Sequence, residues 1–163
     1  MAKYRYFLEK KLGKTAIFAA LFLSVASLSS CEMESSDNGD LDGFWHLEQV
    51  DTLATNGSSD YRNLKVFWGI EHTLISVSNH DMLHDWPGYY FRFSQTGDSL
   101  VLTSPYRNHW HQQYGGDVPV IEMTDTLSHC GFTSLEEHYL KEKLTAKEMI
   151  LRNKTLRLKF TKF

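Results

Sequence analysis

Two histidine motifs, a set of loop aromatics and two cysteines are the residues of this 163-residue chain whose types and spacing could do chemistry. His80-Asp81-x-x-His84-Asp85 and His109-Trp110-His111 offer imidazole and carboxylate groups at separations a metal could use. Zinc needs three or four such ligands converging, each imidazole oriented through its other nitrogen. The two motifs can meet only if their loops lie at one end of the fold. No cysteine accompanies them and no His-Glu-x-x-His pattern is present, so His80, His84, His109 and His111 read as a solvated cluster, and no metal or other cofactor is expected.

Trp86, Tyr89, Tyr106, Trp110 and Tyr114 fall in or beside the two longest loops. Exposed there, ring faces would stack on the apolar surface of a sugar or lipid and form a ligand-binding rim. Folded back, the same rings would seal one end of the domain. A docked protein partner would use the same surface as a ligand. Catalysis needs a nucleophile beside an oriented base, or two carboxylates at a defined separation. The chain has no Gly-x-Ser-x-Gly, no phosphate loop and no paired-acid motif, so it reads as a non-enzyme.

The cysteines read differently from each other. Lys3, Arg5, Lys10, Lys11 and Lys14 form a basic N-terminus, and residues 16–28 form an uncharged apolar run. That run is too short for a membrane-spanning helix, which needs roughly 20 residues, and has the shape of a signal peptide. Leu28-Ser29-Ser30-Cys31 ends it and resembles the bacterial lipoprotein processing site, where the chain is cut before a cysteine whose sulfur has been acylated. The resemblance implies a signal peptide over residues 1–30, a lipid on Cys31, and a protein held by the bilayer of the cell envelope, in the outer membrane. Acidic residues just after Cys31 resemble, with interruptions at Met33, Ser35 and Ser36, the export signal of surface-displayed lipoproteins in Bacteroidetes. Periplasmic and outward display both stay open. With Cys31 acylated, Cys130 has no partner for a disulfide and is expected to be a small buried residue.

Removing residues 1–30 leaves 12 basic and 19 acidic residues, a net charge of about −7. Phosphate neutralisation needs a basic face, so nucleic acid is not an expected partner. The remaining cations crowd towards the C-terminus, from Lys141 to Lys162, and read as solvent-facing strand positions. Residues 31–42, acidic and poor in apolar side chains, are expected to be a flexible tether.

From residue 43 onwards the chain reads as strands. Trp45 and Leu47 alternate with His46 and Glu48 in the first. Residues 56–60 read as a loop, and residues 64–70 and 73–77 as a hairpin around Glu71-His72. Residues 89–94 and 99–103 form a second hairpin around Gln95-Thr96-Gly97-Asp98. Residues 118–122 read as an edge strand, since Pro119 cannot serve a central ladder. Ser134 with Glu137 three residues on is a capping box, predicting a short helical turn over 134–140. Residues 144–152 and 155–160 close the chain as a hairpin, with Leu156, Leu158 and Phe160 facing in.

Short strands with turn signals at intervals of about ten residues predict an all-β antiparallel barrel or sandwich. Gly43-x-Trp45 at the start of the first strand resembles the opening motif of lipocalins. With the lipobox and the closing hairpin, the chain is similar to the small lipocalin-like, calycin-type lipoproteins of Bacteroidetes. The resemblance implies an up-and-down barrel of about eight strands over residues 43–163, with Trp45 plugging the closed end and Gly43 permitting close approach. It also implies a mouth able to hold a small apolar or amphiphilic ligand. An interaction module for another envelope protein, as accessory subunit or inhibitor, is the alternative expectation, and a barrel-mouth enzyme a third.

Overall fold

The computed structural model describes residues 36–81, 88–109 and 115–163, all within one compact unit spanning residues 36–163. The described residues form ten strands: β1 (Gly43–Thr52), β2 (Gly57–Asp60), β3 (Val66–Glu71), β4 (Leu74–Asn79), β5 (Tyr89–Thr96), β6 (Ser99–Arg107), β7 (Val118–Pro119), β8 (Glu137–Leu144), β9 (Glu148–Arg152) and β10 (Leu156–Lys162). Each neighbour pairing is antiparallel, in the order β1-β3-β4-β5-β6-β8-β9-β10, and β10 returns to β1. Eight strands thus close an up-and-down lipocalin-like barrel. β2 and β7 are short additions outside that circuit.

The period of two explains the barrel wall. Val66, Trp68 and Ile70 of β3 turn inward, as do Ile75 and Val77 of β4, Leu100 and Leu102 of β6, and Met149 and Leu151 of β9. β1 changes phase part-way: Trp45 and Leu47 face in, and after a register shift at Glu48 the next inward residue is Val50. Such a bulge lets one long strand serve two neighbours. Its first half pairs with β3 and its second with β2, while β10 runs along the opposite edge. A second shift, opposite Phe91, falls at Ser104-Pro105, where Ser104 has φ of +53°. Beyond it, Tyr106 and Arg107 carry β7.

Two local expectations change. Residues 56–60, expected as a loop, form the turn and return strand of the β1–β2 hairpin. The helical turn lies at α1 (Asp125–His129), capped by Thr124 Oγ1 accepting from the Leu127 N–H, and not at 134–140. The Ser134–Glu137 contact does form, with the Ser134 N–H donating to Glu137 Oε1. Pairing of residues 137–140 with β6 overrides the helical signal, because Tyr139 alternating with His138 and Leu140 suits a strand between two neighbours.

Both ends of the barrel are covered. Residues 36–42 fold across one end in a 3-10 turn, Gly39–Leu41, with Leu41 fully buried. Trp45 lies buried beneath it and donates from Nε1 to Leu41 O at 2.8 Å. Lys162 Nζ sits 4.6 Å from the Trp45 ring centroid and donates to Asp40 O and Asp42 O. Gly43 has φ of +130°, and a Cβ there would come within 3.1 Å of the Lys162 side chain, so glycine lets this corner close. The opposite end, where β4 and β6 finish and β5 and β8 begin, is the mouth.

Candidate functional site: the plugged mouth of the barrel

The segment after β7 does not belong to the wall. Residues 124–133 turn into the mouth through α1 and bury Leu127, Cys130 and Phe132. The Phe132 ring lies between Phe91 (centroids 4.4 Å, planes 7° apart) and Trp68 (4.9 Å, 23°). Phe160 and Tyr139 close around the same Trp68 at 4.9 and 6.1 Å. Two buried polar contacts fix the segment: Trp68 Nε1–H donates to Cys130 O, and Tyr139 O–H donates to Gly131 O at 3.0 Å. A ring delivered from outside the wall therefore occupies the barrel axis. Burial pushes the Tyr139 hydroxyl pKa well above its usual value. It likewise pushes the Cys130 thiol up to about 12, so this cysteine is a neutral packing residue.

Glu137 anchors the exit of the plug. Buried at the start of β8, its carboxylate accepts from the Thr133 N–H, the Thr133 hydroxyl, the Ser134 N–H and Asn153 Nδ2. It ties the plug to the β9–β10 turn. An open groove of about 510 Å³ runs beside it, lined by Ser134, Glu136, His138, Lys154 and Thr155.

The residues singled out from the sequence divide at this mouth. Tyr89 is buried and braces the plug: its hydroxyl shares a hydrogen bond with Thr124 Oγ1 (3.2 Å) and accepts from Arg107 Nη2 (3.4 Å). Tyr106 is exposed on the outer wall, opposite Pro119 of β7. Val118 and Ile121 extend the exposed apolar surface from there, Ile121 being 88% exposed. Trp86, Trp110 and Tyr114 lie outside the described residues, as do His84, His111 and Cys31. His80 and His109 follow β4 and β6, so topology brings these two histidines to the mouth end. There the His80 N–H donates to Lys65 O, and the His109 N–H donates to Asp117 Oδ1. Among the described residues, no three His, Cys, Asp or Glu side chains converge as a metal site.

Sequence reasoning missed Phe132, and read Glu137 as a helix cap and not as the anchor of the plug. Thr124-Asp125 is a legible helix start, and Gly131, with φ of +94°, a legible turn. Neither signal says that the turn enters a barrel.

A closed eight-stranded up-and-down barrel, sealed at one end by the buried Trp45 of its Gly-x-Trp, defines a lipocalin-like protein. A family model of the lipocalin-like domain matches residues 26–163, and the chain belongs to that family. It is similar in fold to a lipocalin-like protein from Bacteroides uniformis ATCC 8492, with a TM-score of 0.55 and 18% identity over 77% of this chain and 100% of that one. It is also similar to an uncharacterized protein from Bacteroides eggerthii DSM 20697, with a TM-score of 0.50 and 15% identity over 75% and 98% of the two chains. At these identities the likeness is one of fold. A search of curated proteins finds no match.

Proposed function

We propose that this protein is a non-catalytic binding module of the cell envelope, held on the outer membrane by a lipid on Cys31, and that it engages another envelope protein at its mouth end. The observation that supports surface binding is the ring stack of Trp68, Phe132 and Phe91, which fills the barrel axis where a lipocalin-like cavity would lie. Tyr106, Val118 and Ile121 supply apolar surface beside that mouth, of the kind that forms the centre of a protein interface. Among the described residues no helix is long and apolar enough to cross a membrane, so anchorage in this reading rests on Cys31.

A second reading has its own support. Phe132 is carried by a segment outside the wall, so a small apolar or amphiphilic ligand could take the slot between Trp68 and Phe91 if the plug withdrew. Native mass spectrometry of the detergent-solubilised protein, with fatty acids, bile acids or haem added, separates the two. An unshifted mass, together with a stoichiometric cross-link from the mouth to one envelope protein, supports the interaction module. A stoichiometric small molecule released on denaturation overturns it in favour of the ligand carrier.

A further inference from the structure

The outer wall carries an aromatic patch that the barrel interior does not use, running from the closed end at Phe44 and Phe163 towards the mouth at Phe67. Phe44 and Phe67 stack with centroids 4.9 Å apart and planes 13° apart, and Phe163 stands edge-on to both, at 6.4 and 6.0 Å. Register puts them outside, since Phe44 precedes buried Trp45 and Phe67 lies between buried Val66 and Trp68. Gly69 makes room for the stack: a Cβ there would lie 3.4 Å from the Phe44 ring and 2.5 Å from Ser76 Oγ. The Phe163 N–H donates to Phe44 O at 2.8 Å, holding the third ring in place. Phe163 is 88% exposed, Phe44 43%, and Leu74 at the start of β4 41%. The patch is thus ordered, apolar and open to solvent.

The chain enters the barrel at the same end. Asn38 Nδ2 donates to His72 O and Lys162 Nζ to Asp40 O, so residues 36–42 are pinned to the closed end. Cys31 lies five residues before Ser36, and five extended residues reach about 17 Å at most. A lipid on Cys31 therefore keeps the closed end within that distance of the headgroups.

We propose that Phe44, Phe163 and Leu74 seat the closed end of the barrel on the lipid surface that holds the Cys31 anchor. Phe and Leu side chains bury at the boundary between headgroups and acyl chains, and a second contact strengthens a lipid anchor. The charges at this end are of both signs, Asp37 and Asp40 against Arg92 opposite Leu74 and Lys147 beside Lys162, so the apolar contact carries the seating. Seated this way, the mouth points away from the bilayer, towards a partner. The inference rests on the anchorage reading above and adds an orientation to it.

The test uses the full chain, processed in a bacterial host and reconstituted in phosphatidylcholine vesicles, with nitroxide labels on Phe163→Cys, Leu74→Cys and Lys154→Cys. Cys130 is fully buried and stays unlabelled. Lys154, exposed at the mouth, reports the opposite end. The expected result is an oxygen-to-nickel accessibility ratio severalfold higher at 163 and 74 than at 154. Equal, water-like ratios at all three positions in a protein whose mass shows acylation would overturn the seating and leave the anchor standing. A mass without acyl groups would overturn both.

Discussion

Replacing Phe132 by alanine tests whether the plug is part of the core. The side chain is 98% buried, since its exposure is 2%, and it stacks on two rings, Phe91 at 4.4 Å and Trp68 at 4.9 Å. Losing a buried phenylalanine costs about 3–5 kcal/mol in transfer and cavity terms. Each aromatic contact adds about 0.5–1.5 kcal/mol beyond area. Backbone relaxation recovers part of this, because residues 124–133 are not held in the barrel ladders. Phe132→Ala is therefore expected to lose about 4 kcal/mol in urea unfolding of the mature protein, with an unchanged slope. The void should be apolar and dry, since the Phe91 and Trp68 rings flank it and the buried donors nearby, Trp68 Nε1–H and Tyr139 O–H, are already engaged by Cys130 O and Gly131 O. Toluene is then expected to restore part of the stability by binding the folded state alone. A loss below about 1.5 kcal/mol, with no effect of toluene, would mean that the ring does not hold the axis, and the case for a filled barrel would fail.

Three further perturbations probe the same end. Glu137→Gln keeps the shape but removes a carboxylate that accepts from Thr133, Ser134 and Asn153; it is expected to cost about 2 kcal/mol and to speed amide exchange at Thr133 and Ser134. Unchanged exchange would show that the carboxylate does not hold the plug. Gly88→Ala is expected to cost about 3 kcal/mol or more, because φ is +107° and a Cβ would lie 2.1 Å from Val77 O, so a near-neutral melting temperature would contradict the close approach of β4 and β5. Stability should also fall at alkaline pH. The Cys130 thiol is held at about 12 against an ordinary value of 9.0, so its contribution is complete below pH 9. Above pH 9 the unfolded chain releases a proton that the folded chain keeps, and about 1.4 kcal/mol is lost per pH unit up to about pH 12. Tyr139, raised for the same reason from 10.0, adds to the slope at higher pH. Urea midpoints of Cys130→Ala between pH 8 and 11 should decline less steeply than those of the parent; equal slopes would refute the assignment.

The barrel wall was largely legible in the sequence because a strand with one buried face writes its orientation in alternate residues. Leu158 and Phe160 against Arg157 and Lys159, or Leu100 and Leu102 around Val101, state the inward face without any partner strand. The turn at Gln95-Thr96-Gly97-Asp98 and the hairpin around Glu71-His72 are equally local, since backbone geometry selects their residues. Where a signal had two outcomes, the tertiary structure chose. Ser134 and Glu137 make the contact of a capping box, yet β6 and β9 draw residues 137–144 into a strand, because ladder bonds and the burial of Tyr139 outweigh a weak helical preference. The bulge after Leu47, which sends β1 from β3 to β2, exists only once those neighbours are present. His80 and His109 share an end because β4 and β6 run in the same direction round the barrel, a fact of strand order and not of spacing. The plug illustrates the limit most plainly. Trp68, Phe91 and Phe132 are far apart in the chain and sit in unrelated local patterns, and Phe132 follows a glycine in a segment without periodicity. Alternation determined which residues leave the solvent, but only closure of the wall decided that one ring from outside it fills the axis, because that space exists only after β10 has met β1.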